Sequence, residues 1–323
     1  MDGLLLVDKP SGPTSHDIVA RARRALRERR IGHTGTLDPM ASGALPLVIG
    51  RATRLARFLS GTKAYDAVIR LGVNTDTCDA LGRPVGSPAV GPWPSRAVVD
   101  AALEPFRSTF VQQPPAFSAK KIGGRRSYAI ARQARSRVAV AAEPDAFESG
   151  EEPQMLAKPV AVTAYAIDLI EVTGDRVRLA VRCSAGFYVR SLAFDLGAAL
   201  GTGAHLVQLR RTEAAGFGLE RAVSLEQLEH ESGVAAATAL LVPMEAMLPE
   251  LPAVSLTDEG VSRVRFGSNL GPAEARAGFV QAVAAATATP PSAVRLLAPS
   301  GNLVALADAA TSPGLLHPAV VLL

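Results

Sequence analysis

The chain reads as an α+β fold of mixed helices and strands, followed by a small β-rich terminal module. Three observations predict it. Tyr65, Ala67, Ile69 and Leu71 alternate with Asp66, Val68 and Arg70, and Val177, Leu179, Val181 and Cys183 alternate in the same way, as half-buried strands do. Capping residues stand ahead of helical apolar faces, at Thr14 with Asp17 and at Ser95. Near Leu251 the composition shifts to a low-charge, Ala- and Val-rich tail punctuated by Gly and Pro. With 323 residues there is room for a sizeable core in two domains, divided at 1–250 and 251–323.

In chain order, residues 4–7 read as a short strand and 8–13 as a turn. Thr14 and Asp17 then open a helix with Ile18, Val19, Ala22 and Leu26 on its apolar face. Residues 45–49 read as a buried strand, 51–59 as a short helix closed by Gly61, and 74–82 as a polar loop. The helix after Ser95 is expected to bury Val98, Val99, Ala102, Leu103 and Phe106. Residues 112–126 hold too much Pro and Gly for regular structure, and end strongly basic. Residues 136–158 carry Glu143, Asp145, Glu148, Glu151 and Glu152 among few large apolar groups, an acidic and mobile excursion. Strands at 160–170 and 176–183 precede a helix from about Tyr188 to Leu200.

Charge is unevenly placed. Residues 1–135 hold 21 Lys and Arg against 10 Asp and Glu, residues 136–250 hold 9 against 16, and residues from 251 hold 4 against 4. A basic N-terminal half points to a polyanionic partner, nucleic acid being the commonest. Six arginines, Arg21, Arg23, Arg24, Arg27, Arg29 and Arg30, crowd ten residues and repel one another unless something anionic meets them. No run approaches the ~20 apolar residues of a membrane span, and the N-terminus lacks a secretory pattern. Cys78 and Cys183 have no ligand spacing with histidine, so no disulfide framework and no metal site is expected. These features fit a reduced, cytoplasmic protein. Dinucleotide and P-loop signatures are lacking, and no cofactor is expected.

The densest chemistry lies at 32–43, GHTGTLDPMASG. Asp38 is its one acid, on a stretch stiffened by Pro39 and punctuated by Gly32, Gly35 and Gly43, with His33 nearby. Such a carboxylate could be a presented nucleophile or general base. Taken alone, the same residues read better as a helix start, with Asp38 as N-cap and Pro39 at the first helical position.

Other blocks reverse that balance. DKPSGPTS at 8–15, GHTGTLDPMASGALP at 32–46, Lys63-Ala64-Tyr65, QQPPAFSAKKIGGRRSYAIAR at 112–132, CSAGFYVRSLAFDLG at 183–197 and GAHLVQLRRT at 203–212 resemble, in order and spacing, the motifs of the TruB family of tRNA pseudouridine synthases. The resemblance implies a pseudouridine synthase domain around a largely antiparallel mixed sheet, with residues 251–323 similar to a PUA-like module. It implies conversion of the T-loop uridine of tRNA to pseudouridine by a monomer that needs neither guide RNA nor cofactor. It makes Asp38 the catalytic carboxylate, attacking ribose or base. Tyr65 would stack on the target base and Arg190 would pair with Asp38. Tyr188 and Leu209 would line the base pocket, and His33 would pack against the RNA and keep the base extruded.

Two features depart from the family pattern: the length of the acidic stretch at 136–158, and Phe117 where many members have tyrosine. The carboxylates of that stretch are expected to point away from RNA. A non-catalytic RNA-binding protein and a guide-RNA-dependent enzyme are the rival readings. The intact Asp38, Tyr65 and Arg190 argue against the first, and the lack of long lysine-rich tails against the second.

Overall fold

Continuous apolar runs and alternating runs become different kinds of strand, because the former are covered on both faces. Strands β1 (Gly3–Lys9) and β3 (Ser42–Ile49) are of the first kind. Leu5, Val7, Leu45 and Leu47 face a core beneath helices, while Leu4, Leu6, Ala44 and Val48 face a second core on the opposite side. Burying each such leucine contributes roughly 1.5–3 kcal/mol. Strands β4 (Lys63–Leu71) and β11 (Arg176–Cys183) alternate as expected, with Tyr65, Ala67, Ile69 and Leu71 inward on the first and Val177, Leu179, Val181 and Cys183 on the second.

The computed structural model describes residues 1–59, 61–116, 121–122, 125–126, 157–230, 232–290 and 292–323. Phe117 and the acidic stretch, Ala157 and Lys158 apart, lie outside them, as does most of the basic segment after Ala116. Among the described residues an eleven-stranded mixed sheet organises the chain up to Pro243. Besides those above it contains β2 (Ile31–His33), β7 (Thr109–Gln112), β10 (Val160–Thr173), β12 (Ala204–Ala214), β13 (Phe217–Gly218), β14 (Val223–Ser224) and β15 (Val242–Pro243). Its order is β14-β1-β3-β12-β4-β11-β10-β7, with β15 on β1, β2 on β3 and β13 on β12. Only the β1–β14 and β3–β12 pairs are parallel, so the sheet is largely antiparallel. Short pairs β5 (Asn74–Thr75) with β6 (Pro84–Val85), and β8 (Lys121–Ile122) with β9 (Arg125–Arg126), stand apart from it. Regular backbone therefore enters both the predicted loop at 74–82 and the segment at 112–126.

Helix α1 (Ser15–Ala25) starts as predicted: Thr14 caps it, and Asp17 completes the reciprocal capping box. Ile18, Val19 and Ala22 are buried, and two of the six arginines are absorbed locally. Arg21 pairs with Glu229, and Arg23 Nη2 donates to the Ile31 carbonyl at 2.7 Å. Arg24, Arg27, Arg29 and Arg30 remain exposed. Residues Gly50–Phe58 wind as a 3-10 helix rather than the predicted α-helix. In α2 (Arg96–Leu103) Ser95 is the cap and Val99 and Leu103 are buried, but Val98 is 53% exposed, a correction to the expected face. An eight-residue helix turns a narrow stripe inward, and positions 99 and 103 define it.

α3 (Val189–Ala199) follows β11 and is buried along most of its length. Asp195 on this helix sits where burial pushes its carboxyl up to about 6. An acid whose folded pKa is raised stabilises the fold below its unfolded value and loses that contribution as pH rises through 6. Asp195→Asn should therefore raise stability at pH 7 by about 1–2 kcal/mol and change it little near pH 4. Denaturant midpoints at the two pH values measure this.

Helices α4 (Leu225–Glu229) and α5 (Gly233–Leu240) pack beside α1 and β1. The terminal region is a separate five-stranded sheet, β17-β16-β18-β19-β20, made of β16 (Ala253–Leu256), β17 (Ala275–Ala277), β18 (Val294–Leu297), β19 (Leu303–Ala309) and β20 (Leu316–Val321). It is β-rich as expected, and it also carries α6 (Asp258–Arg265) and α7 (Phe279–Ala286), which close its own core over Val254, Leu256, Val294 and Leu296. Its other side, through Leu303, Leu306, Val320 and Leu322, covers the second face of β1 and β3. Arg51 fastens that contact, joining Asp2 at 2.9 Å and the Leu322 carbonyl at 2.7 Å. No helix among the described residues is long and apolar enough to cross a membrane.

Candidate active site

Asp38 does not start a helix. The backbone turns once, with the Ala41 amide donating to the Asp38 carbonyl at 3.1 Å, and then enters β3. Helix formation is outcompeted because the loop's polar groups are claimed from elsewhere. Buried Ser15 exchanges two hydrogen bonds with Leu37, at 3.0 and 2.9 Å. The Gly12 amide donates to the Pro39 carbonyl at 2.7 Å, and Ser11 Oγ to that of Met40 at 3.0 Å. Lys9, fully buried, donates from Nζ to the carbonyls of Pro10, Pro13 and Pro39 at 2.9, 2.8 and 3.3 Å. Burial pulls its pKa down to about 8, against the attraction of Asp38. The first motif is thus a clamp on the second.

Two glycines matter to the loop. Gly43 has φ +103°, and a Cβ there would lie 2.1 Å from the Arg211 carbonyl oxygen where β3 meets β12. Gly35 has φ +77° and passes beside Lys63 and Arg211. Gly32 lies in β2 and shows no such requirement.

The carboxylate so presented meets Arg190, in the first turn of α3. Arg190 Nε lies 2.8 Å from Asp38 Oδ2 and Nη2 3.2 Å from Oδ1, a two-pronged pair. The Arg190 side chain is only 4% exposed. Its Nη1 donates to the Thr77 carbonyl at 3.0 Å and lies 3.6 Å from Asp79 Oδ2. Burial opposes the guanidinium charge, yet Asp38 and Asp79 outweigh it and hold the Arg190 pKa above the ordinary value.

Asp79 was not legible as a site residue, since its segment reads as a polar loop. The loop is in fact pinned to β12: Ala80 N donates to the Leu206 carbonyl at 2.9 Å and Leu206 N to that of Cys78 at 3.0 Å. Asp79 is 5% exposed, and its Oδ1 accepts from Thr77 Oγ1 at 2.7 Å and the Leu81 amide at 3.0 Å. Two acids three residues apart in one turn, Asp76 and Asp79, were the available signal.

A cavity of about 180 Å³ opens beside Asp38 and Arg190. Tyr65, Tyr188 and Leu209 line it, so the fold brings together five of the six residues singled out from the sequence. His33 does not line it. That side chain stands at the end of β2, edge-on to His16 with ring centroids 5.3 Å apart. Burial raises the Tyr65 pKa, opposed by the nearby Arg211 charge. Tyr188 caps α3 and is held by a reciprocal pair with buried Gln112, whose Oε1 accepts from its amide at 2.8 Å and whose Nε2 donates to its carbonyl at 3.0 Å. Phe187 and Lys63 also line the cavity. Cys183 and Cys78 are buried, and burial pushes both thiols up to about 12, which keeps them protonated and unreactive.

The arrangement is a carboxylate steered by a buried guanidinium, facing a small hollow walled by two tyrosines and a leucine. Comparison with known proteins identifies its relatives. Residues 23–189 match the TruB family pseudouridylate synthase N-terminal domain model, and residues 190–249 match the tRNA pseudouridylate synthase B C-terminal domain model. The chain belongs to the TruB family. The two matches meet at Arg190, inside α3, so that division does not coincide with a break in the main sheet. This TruB family member is 39% identical to tRNA pseudouridine synthase B of Solibacter usitatus over 100% of both chains. It is 43% identical to tRNA pseudouridine synthase B of Xanthomonas campestris, over 84% of this chain and 82% of that one. Among solved structures, the archaeal box H/ACA sRNP Nop10-Cbf5 complex contains a chain similar with a TM-score of 0.66 at 26% identity, covering 99% of this chain and 86% of that one.

Proposed function

We propose that this TruB family member converts the T-loop uridine of tRNA, position 55 in tRNA numbering, to pseudouridine, with Asp38 as the catalytic carboxylate. It acts as a cytoplasmic monomer and without a guide RNA. The observation that carries the reading is the two-pronged Asp38–Arg190 pair in the wall of a cavity also lined by Tyr65, Tyr188 and Phe187. Isomerisation breaks the bond between ribose C1′ and uracil N1, with the electron pair leaving on the base. C1′ then bonds to C5, the C5 proton is lost, and N1 gains one, so atoms and charge balance. A charge stabiliser or nucleophile is needed beside C1′, and a carboxylate aimed by Arg190 meets that need. Flipping the target out of its loop costs a few kcal/mol, which stacking on Tyr65 offsets in part. The exposed arginines of α1 and the residues after it suit phosphate contacts, and His33 would meet the RNA beside the cavity. We propose the same division of the chain as above, with residues 251–323 a PUA-like module adjoining the catalytic domain.

One purified protein and one unmodified tRNA transcript, with no guide RNA, test this. Pseudouridine at the T-loop uridine is the expected product, and modification only after a guide RNA is added would overturn it. Asp79→Asn should lower the single-turnover rate by roughly 10- to 100-fold with little change in tRNA affinity, since it releases one side of Arg190 and lets Asp38 drift. A rate within about two-fold of wild type would remove Asp79 from the machinery.

A further inference from the structure

The charges around the cavity do not balance. Asp38 and Asp79 share Arg190, but Lys63, in the wall beside Asp38, and Arg211, next to Lys63 at Gly35, have no carboxylate within 4 Å among the described residues. Arg211 is fully buried, and carbonyl oxygens satisfy part of it: Nε donates to Ala44 at 2.6 Å and Nη2 to Gly35 at 3.0 Å. Its remaining polar interaction is with the Tyr65 side chain, and no carboxylate among the described residues reaches it. Lys63 is half-buried at the start of β4, between Cys183 on β11 and Ala214 on β12, and its side chain forms part of the cavity wall. A Cβ on Gly35 would lie 3.3 Å from Lys63 Cε and 3.6 Å from Arg211 Nη1, so the two cations converge where the Asp38 loop passes. Burial and the Arg211 charge both pull the Lys63 pKa below the ordinary lysine value. Holding Lys63 in the cavity wall close to a second cation is unfavourable in the free protein, and it becomes useful when negative charge forms in the cavity.

Resting on the reaction proposed above, we propose that Lys63 is a further catalytic residue, whose ammonium faces the detached uracil and stabilises the electron pair it carries after the glycosidic bond breaks. The bound uridine base is neutral and gains little from this cation. The departing base is anionic, so the interaction strengthens in the transition state and lowers the barrier. No proton leaves Lys63 and no covalent bond to it forms. Gly35 is the counterpart requirement, because a side chain there would press on the Lys63 stem.

The experiment compares wild type, Lys63→Met, Lys63→Gln and Lys63→Arg on one tRNA transcript. Single-turnover rate at saturating protein and dissociation constant at two salt concentrations are read for each, with thermal unfolding run alongside. Lys63→Met and Lys63→Gln should each lose about 10²–10³-fold in rate, with affinity and its salt dependence unchanged. Lys63→Arg, which keeps the charge, should recover most of that rate. Loss of affinity with a shallower salt dependence and an unchanged rate would show a phosphate contact instead and overturn the proposal. So would a Lys63→Gln protein as fast as wild type, or a Lys63→Arg protein as slow as Lys63→Met. A wild type that makes no pseudouridine overturns the reaction itself, whereas an active wild type with an equally active Lys63→Met overturns only the role of Lys63.

Discussion

Asp38→Asn will bind tRNA as wild type does and form pseudouridine at least about 10⁴-fold more slowly, the scale seen when a nucleophile or its charge is removed from a preorganised site. The expectation follows from geometry. The asparagine amide is nearly isosteric, and its oxygen can still accept from Arg190, so the turn from residue 38 to Ala41 and its clamps at Ser15 and Gly12 are undisturbed. What disappears is the negative charge beside the sugar carbon. Arg190 keeps Asp79 as a partner, so the fold tolerates the change. Single-turnover pseudouridine formation and filter binding on the same transcript measure both halves. An Asn variant within ten-fold of wild type would take Asp38 out of the chemistry.

Arg190→Ala carries the largest expected effect on stability. The side chain is buried between Asp38 and Asp79, and its loss leaves two carboxylates facing each other across the space it filled. Removing one member of a buried ionic set costs about 3–5 kcal/mol, because the remaining charges lose their compensation. Catalysis should vanish with it, since the two-pronged contact that aims Asp38 is then lost. Arg190→Lys keeps the charge but offers one ammonium where the guanidinium offered a fork, and should restore much of the stability and little of the rate. Combining Arg190→Ala with Asp79→Asn gives the sharper test. If the cost is charge left unpaired, the double variant will unfold at higher denaturant than the sum of the single losses predicts. Strict additivity would mean that Arg190 contributes by packing alone.

Both predictions concern residues that lie 152 positions apart in the chain. Each was found in the sequence through the order of its motif, and neither was legible from its own surroundings. Arg190 in isolation reads as a surface arginine, and Asp38 as a helix cap. The blocks at 8–15, 32–46 and 183–197 carried the site because they travel together. Asp79 lies outside every such block, and Lys63 and Arg211, although inside two of them, drew no role of their own. The loop at 74–82 carries its acids without an apolar pattern to mark burial. Arg211 and Lys9 are fully buried cations, a situation that residue type argues against unless their partners are known. Those partners are backbone carbonyls, such as Ala44 and Gly35 for Arg211, which no side-chain pattern advertises.

Local patterns alone determined the strands at 65–71 and 177–183, the capped start of α1 at Thr14 and the change of character after Leu251. Each depends on periodicity or on a side chain bonding its own backbone a few residues away. Only the tertiary structure decided that Val98 faces outward, that residues 50–58 wind as a 3-10 helix, and that the terminal sheet covers the second face of β1 and β3. It alone also set Arg190 between two acids and left Lys63 and Arg211 without one among the described residues. These outcomes depend on which distant group arrives to fill a face or meet a charge. That is a competition among long-range partners, and short-range sequence pattern does not encode its result.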